Sequence, residues 1–159
     1  MMTTEKRKPI KEIDAKAYQP LLAFEKYLAQ SSLQRTHADL IKIRTSQING
    51  CAFCIDKHTR EARQVGEREQ RLYLLSTWAD VTVFTEEEKA VLALTEEVTR
   101  IAQHGVSDPV YEKAISLLGY QYTTEVIMAI IAMNAWNRVG ISTQLALEKT
   151  NDALADTSR

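Results

Sequence analysis

The sequence predicts an all-α protein, one helical bundle over residues 1–159 with its core between about residues 15 and 148. Five glycines and three prolines leave few interruptions in a chain of 159 residues. No segment alternates apolar and polar residues as a half-buried strand must. The breaks that do occur fall where helices begin and end, with Pro in first turns and Gly beyond last turns.

The first helix is expected from Asp14 or Gln19 to Gln30, its apolar side supplied by Tyr18, Leu21, Leu22, Phe24, Tyr27 and Leu28. Pro20 suits its first turn if the start is late. Ser31-Ser32 ends it, and a second helix runs from Gln34 to Ile48. The turn Asn49-Gly50 follows, with Asn49 as the expected N-cap of a third helix that continues to Gly66. A short helix from Glu67 to Trp78 comes next. Thr85-Glu86-Glu87-Glu88 then reads as a capping box opening a helix to His104, with Gly105 beyond it. Ser107-Asp108-Pro109 starts another, which Gly119 ends. The last long helix is expected from Thr123 to about Glu148. Its segment Val126 to Met133 is apolar all round, which predicts enclosure on every side in the core or at a subunit interface. Asn134, Trp136, Asn137 and Arg138 follow as polar anchors, with Met128 and Met133 as core filler, and the tail from Asn151 is small and polar.

Net charge is −1 with 26% charged and 45% hydrophobic residues, the balance of a globular domain and not of a nucleic-acid binder. Lys6-Arg7-Lys8 is too short a basic cluster to change that. The segment Met1 to Lys11 lacks the apolar stretch of a signal peptide, and no apolar run approaches the ~20 residues of a membrane span. A cytoplasmic, reducing location is therefore expected, where paired cysteines are catalytic or metal-binding and not structural.

Both cysteines and one of the three histidines lie in Asn49-Gly50-Cys51-Ala52-Phe53-Cys54-Ile55-Asp56-Lys57-His58. A CxxC at the start of a helix sits among unpaired N–H groups that favour a thiolate. His58 follows Cys54 by four positions, on the same helix face, so a nucleophile stands beside a base. Cys54 is the expected reactive thiolate. Cys51 is within reach to condense with a sulfenic acid formed on it. Asp39 lies twelve positions before Cys51; a helical hairpin about Asn49-Gly50 brings it beside His58, which predicts a relay from Asp39 through His58 to Cys54. Zinc is the competing use of this motif. Cys51, Cys54 and His58 supply three ligands where a structural site takes four, so no metal and no other cofactor is expected.

The run from Arg44 to Thr59, Ser-Gln-Ile-Asn-Gly-Cys-x-x-Cys-x-x-x-His at its centre, resembles the core signature of the AhpD-like alkylhydroperoxidases of the carboxymuconolactone decarboxylase superfamily. Gln70 to Trp78 and Met133 to Arg138 are similar to that family as well. The resemblance implies an AhpD-like helical bundle assembled as a homo-oligomer, trimer or hexamer. It implies a peroxidase acting on hydrogen peroxide or organic hydroperoxides, with Cys54 forming the sulfenic acid, Cys51 as proton donor and resolving thiol, and His58 as relay. A lipoyl-type or thioredoxin-like dithiol reductant is implied as partner. Asp39 stands where the family usually carries glutamate, and Phe53 where some peroxidase relatives carry histidine. Two other readings compete: a cysteine-independent decarboxylase acting on a lactone, and a non-enzymatic redox-switched or metal-binding module.

Overall fold

The computed structural model describes residues 7–147, which are helical without strands. In chain order the helices are α1 (Ile10–Ile13), α2 (Gln19–Ala29), α3 (Arg35–Asn49), α4 (Ala52–Gln64), α5 (Glu69–Leu74), α6 (Glu86–Thr99), α7 (Ile101–His104) and α8 (Asp108–Thr143). The all-α expectation is correct.

Helices α3, α6 and α8 pack against one another at the centre, and α2 and α4 flank them. Helix α3 is enclosed because it carries apolar residues on two sides. Ile41 joins Val91 and Leu94 of α6 and Val126 and Ile130 of α8 in one cluster. Leu40 and Ile43 join Ala62, Leu75, Phe84 and Leu92 in another. Each such side chain, fully withdrawn from water, contributes about 1.5–3 kcal/mol of transfer free energy.

Both expected starts of the first helix have a role. Asp14 caps a 3₁₀ turn over Ala15–Tyr18 by accepting from the Lys16 and Ala17 amides, and α2 begins beyond it with Pro20 in its first turn. The capping box at Thr85 and Glu88 is present in both directions. Other boundaries differ. The stretch expected as one helix to Trp78 is α5 followed by a 3₁₀ segment, Leu75–Asp80, kinked at Thr77. The helix expected to reach His104 breaks at Arg100 into α6 and α7. Gly119, at φ 77° and ψ 165°, interrupts α8 without a loop, and helix resumes directly. Such a φ belongs to glycine.

Helix α8 stops at Thr143, short of the expected Glu148, which with the Asn151 tail lies outside the described residues. Gln144 is left-handed there, and the Leu145 amide returns to the Gly140 carbonyl at 3.0 Å, a Schellman closure. By length and composition α8 is apolar enough to cross a membrane, a longer apolar run than the sequence reading allowed. Its inner face, with Val126, Ala129, Ile130 and Met133, is buried. Ile131 is 44% exposed, so the chain by itself does not enclose the segment on every side.

Candidate active site

The site is built at the junction of α3 and α4. Gly50, at φ 71° and ψ 32°, ends α3 in the left-handed region. Its amide donates to the Gln47 carbonyl at 3.3 Å and the Cys51 amide to the Ser46 carbonyl at 3.0 Å. This is a second Schellman closure. It makes Cys51, and not Asn49, the N-cap of α4. Asn49 instead finishes α3 and donates its side-chain amide to Asn134 and Asn137 of α8, 2.9 Å each. Asn137, fully buried, donates in turn to Ser46 Oγ at 3.0 Å. Arg44 reaches Glu96 and Gln47. The polar residues of Arg44-Thr45-Ser46-Gln47-Ile48-Asn49-Gly50 thus serve largely to fix the turn that presents the cysteines.

Cys51 and Cys54 are joined in a disulfide, both almost wholly buried and packed with Phe53, Met133 and Trp136. Helix α8 passes directly behind the sulfurs because Gly140 has no side chain. A Cβ there would lie 3.2 Å from Cys51 Sγ and 3.5 Å from Cys54 Sγ.

In front of the disulfide lies a cavity of about 490 Å³. Its walls include Cys54 and His58 together with Tyr18, Phe53, Met133 and Trp136, and its polar rim includes Glu25, Lys42, Lys57 and Glu61. Cys54 is therefore the sulfur that meets the cavity. Trp136 is fixed by donating to Glu25 at 2.9 Å and by stacking edge-on against Tyr18. Within the chain Asn134, Trp136 and Asn137 are the polar anchors that the sequence suggested.

His58 Nδ1 lies 2.8 Å from Glu61 Oε2. An ionised carboxylate only accepts, so Nδ1 carries the proton and Nε2 is free to accept one. Burial lowers the pKa of His58 below its ordinary value, and the charges of Lys42 and Lys57 push the same way, against the hydrogen bond to Glu61 and the charge of that carboxylate. The imidazole is thus neutral at neutral pH. For Glu61, burial alone would raise the pKa, but hydrogen bonds from Lys57 and His58 outweigh it and hold the carboxyl below its ordinary range.

The expected pairing of Asp39 with His58 is not what the structure holds. Asp39 is buried on α3 and takes a two-oxygen hydrogen bond from Arg35 Nε, at 2.9 and 2.8 Å. It lines a different cavity, with Arg35, Arg71 and Glu88. The hairpin folds back as expected, but Asp39 projects from another face of α3. Sequence reasoning passed over Glu61, Lys42 and Lys57. The signal for Glu61 was its i+3 spacing from His58. Among the described residues no group of three or more His, Cys, Asp or Glu side chains is arranged to hold a metal.

An all-helical bundle with a CxxC disulfide and a histidine at one cavity is the AhpD-like fold. The signature of the carboxymuconolactone decarboxylase family matches residues 15–97. The chain belongs to that family. It is 42% identical to the uncharacterized protein YdfG of Bacillus subtilis over 131 residues, 82% of this chain and 89% of that one. A crystal structure of a protein of unknown function from Agrobacterium tumefaciens, proposed to be the antioxidant defence protein AhpD, superposes with a TM-score of 0.88 at 34% identity, covering 92% of this chain and all of that one. An uncharacterized peroxidase-related protein from Silicibacter shares the fold at a TM-score of 0.74 and 19% identity, over 85% of this chain and 72% of that one.

Proposed function

We propose that the protein is a thiol-dependent peroxidase that reduces hydrogen peroxide or organic hydroperoxides. The observation that carries this reading is the Cys51–Cys54 disulfide at the start of α4, facing a cavity whose wall also holds neutral His58. In the reduced protein His58 Nε2 takes the proton of the Cys54 thiol. The thiolate attacks the distal peroxide oxygen, the O–O bond breaks, and the alkoxide leaves as alcohol or water after taking up a proton. Cys54 is then a sulfenic acid. Cys51 displaces its hydroxyl as water, giving the disulfide. A dithiol reductant, of lipoyl or thioredoxin-like type, restores both thiols and is itself oxidised. Assembly as a trimer or hexamer and a cytoplasmic setting go with this reading, by likeness to the family.

Cysteine-independent decarboxylation of a lactone has no use for a dithiol, and the paired sulfurs speak for the peroxidase. The test is a free-thiol count on fully reduced protein before and shortly after one equivalent of an organic hydroperoxide. Both thiols are expected to disappear in step with the peroxide, and Cys54→Ser to abolish turnover. Thiols that persist in the wild-type protein, or full turnover by Cys54→Ser, overturn the reading.

A further inference from the structure

We infer that Glu61, clamped by Lys57, is the positioning residue for His58, in the place that the sequence assigned to Asp39. The inference rests on the proposed thiol chemistry only for the choice of Cys54 as the reacting sulfur.

Four observations support it. Glu61 Oε2 is 2.8 Å from His58 Nδ1. Its other oxygen, Oε1, takes a hydrogen bond from Lys57 Nζ, one turn back on the same helix. The carboxylate is therefore held at both oxygens, and its rotation is fixed by two partners from α4 itself. Asp39, the competing carboxylate, is engaged by Arg35 and faces a separate cavity. Finally, Cys54, His58 and Glu61 all line the same cavity, so the geometry has a chemical destination.

A carboxylate on Nδ1 does two things for an imidazole. It fixes the tautomer, leaving Nε2 as the acceptor, and it stabilises the imidazolium formed once Nε2 has taken a proton. The charged groups around His58 are Lys57 and Glu61 on α4, Lys42 on α3 and Glu25 of α2 on the cavity wall; α8 contributes the uncharged Met133 and Trp136. Two cations beside a base would weaken it. Glu61 is the anion in direct contact that offsets them.

The experiment uses reduced full-length protein and no peroxide. Alkylation of Cys54 by iodoacetamide is followed against pH with the modified cysteine identified by mass spectrometry, and the His58 tautomer is read from its imidazole ¹⁵N shifts. Glu61→Ala is expected to mix the tautomers and to slow Cys54 alkylation at pH 7 by about tenfold, the equivalent of one pKa unit. The Glu61 side chain is 36% exposed, so solvent screening keeps the effect near that size. Glu61→Gln retains an acceptor without the charge; it is expected to keep the tautomer and to lose only part of the rate. Asp39→Asn is expected to move neither readout. If Glu61→Ala leaves tautomer and pH profile as in the wild type, or if Asp39→Asn alone shifts them, the assignment of Glu61 is wrong. A wild-type protein that fails to consume hydroperoxide would sink the peroxidase reading and leave this measurement intact.

Discussion

Gly140→Ala separates the packing of the oxidised site from that of the reduced one. The new methyl would lie 3.2 Å from Cys51 Sγ, 3.5 Å from Cys54 Sγ and 3.7 Å from Leu145 Cδ1. The first of these distances is too short, so the sulfur must retreat by a few tenths of an ångström. Overpacking of this kind costs about 1–3 kcal/mol, and a single short contact belongs at the lower end, about 1 kcal/mol. Against it, replacing glycine by alanine inside a helix stabilises by roughly 0.5–1 kcal/mol. In the oxidised protein the two effects nearly cancel, because the bonded sulfurs cannot rotate away independently. In the reduced protein each thiol turns about its own χ1 and the helix gain survives. The reduced form is therefore favoured by about 1 kcal/mol relative to the oxidised one, which makes the disulfide more oxidising by ~20 mV. Equilibration against dithiothreitol or glutathione buffers, with thiols quantified, measures the shift, and urea unfolding of both redox forms checks its origin. A potential that is unchanged, or more negative, refutes the packing argument.

Arg71→Met should lower stability in urea unfolding by about 3–5 kcal/mol, because it strands a buried carboxylate. Arg71 donates to Glu88 at 2.6 and 3.0 Å, to Glu67 at 2.9 Å and to the Val83 carbonyl at 2.6 Å; adding Glu88→Gln should recover part of the loss. His37 gives a pH dependence of known sign. Its Nδ1 is 2.7 Å from the Tyr122 hydroxyl, which also accepts from the Gln34 amide. Burial lowers the pKa of His37 below 6.5, so the unfolded chain takes up the proton first. Its contribution is full above about pH 6.5 and is lost as pH falls below it. The fall in stability between pH 7.5 and 5.5 should be smaller in His37→Gln than in the wild type, by urea midpoints.

What the sequence made legible was whatever depends on neighbours along the chain. The capping box at Thr85, the first-turn Pro20 and the left-handed Gly50 are local, and each stands where its chemistry required. CxxC with a histidine four positions on is local too: Cys51 is bonded to Cys54, and Cys54 and His58 line one cavity. Failures began where rotation about a helix axis mattered. Folding α3 back on α4 follows from a turn residue; which face of α3 Asp39 occupies follows from the packing of Leu40, Ile41 and Ile43 into two different clusters. Asn49 was misread for a related reason. It suits an N-cap by type, but the Schellman closure places that role two residues further on, at Cys51, and its amide is drawn to Asn134 and Asn137, 85 and 88 positions away. The kink at Thr77 and the break at Arg100 carry no glycine or proline to announce them.

Helix α4 begins on a cysteine where helices ordinarily begin on serine, threonine or aspartate. While Cys51 is bonded to Cys54, its side chain makes no capping hydrogen bond, and the first amides of α4 are left short of an acceptor. A thiolate formed at Cys51 on reduction would carry its negative charge beside the N-terminus of α4, where the helix dipole favours an anion. The Cys51 amide is tied to the Ser46 carbonyl, so the closure that ends α3 also holds the first cysteine of the pair.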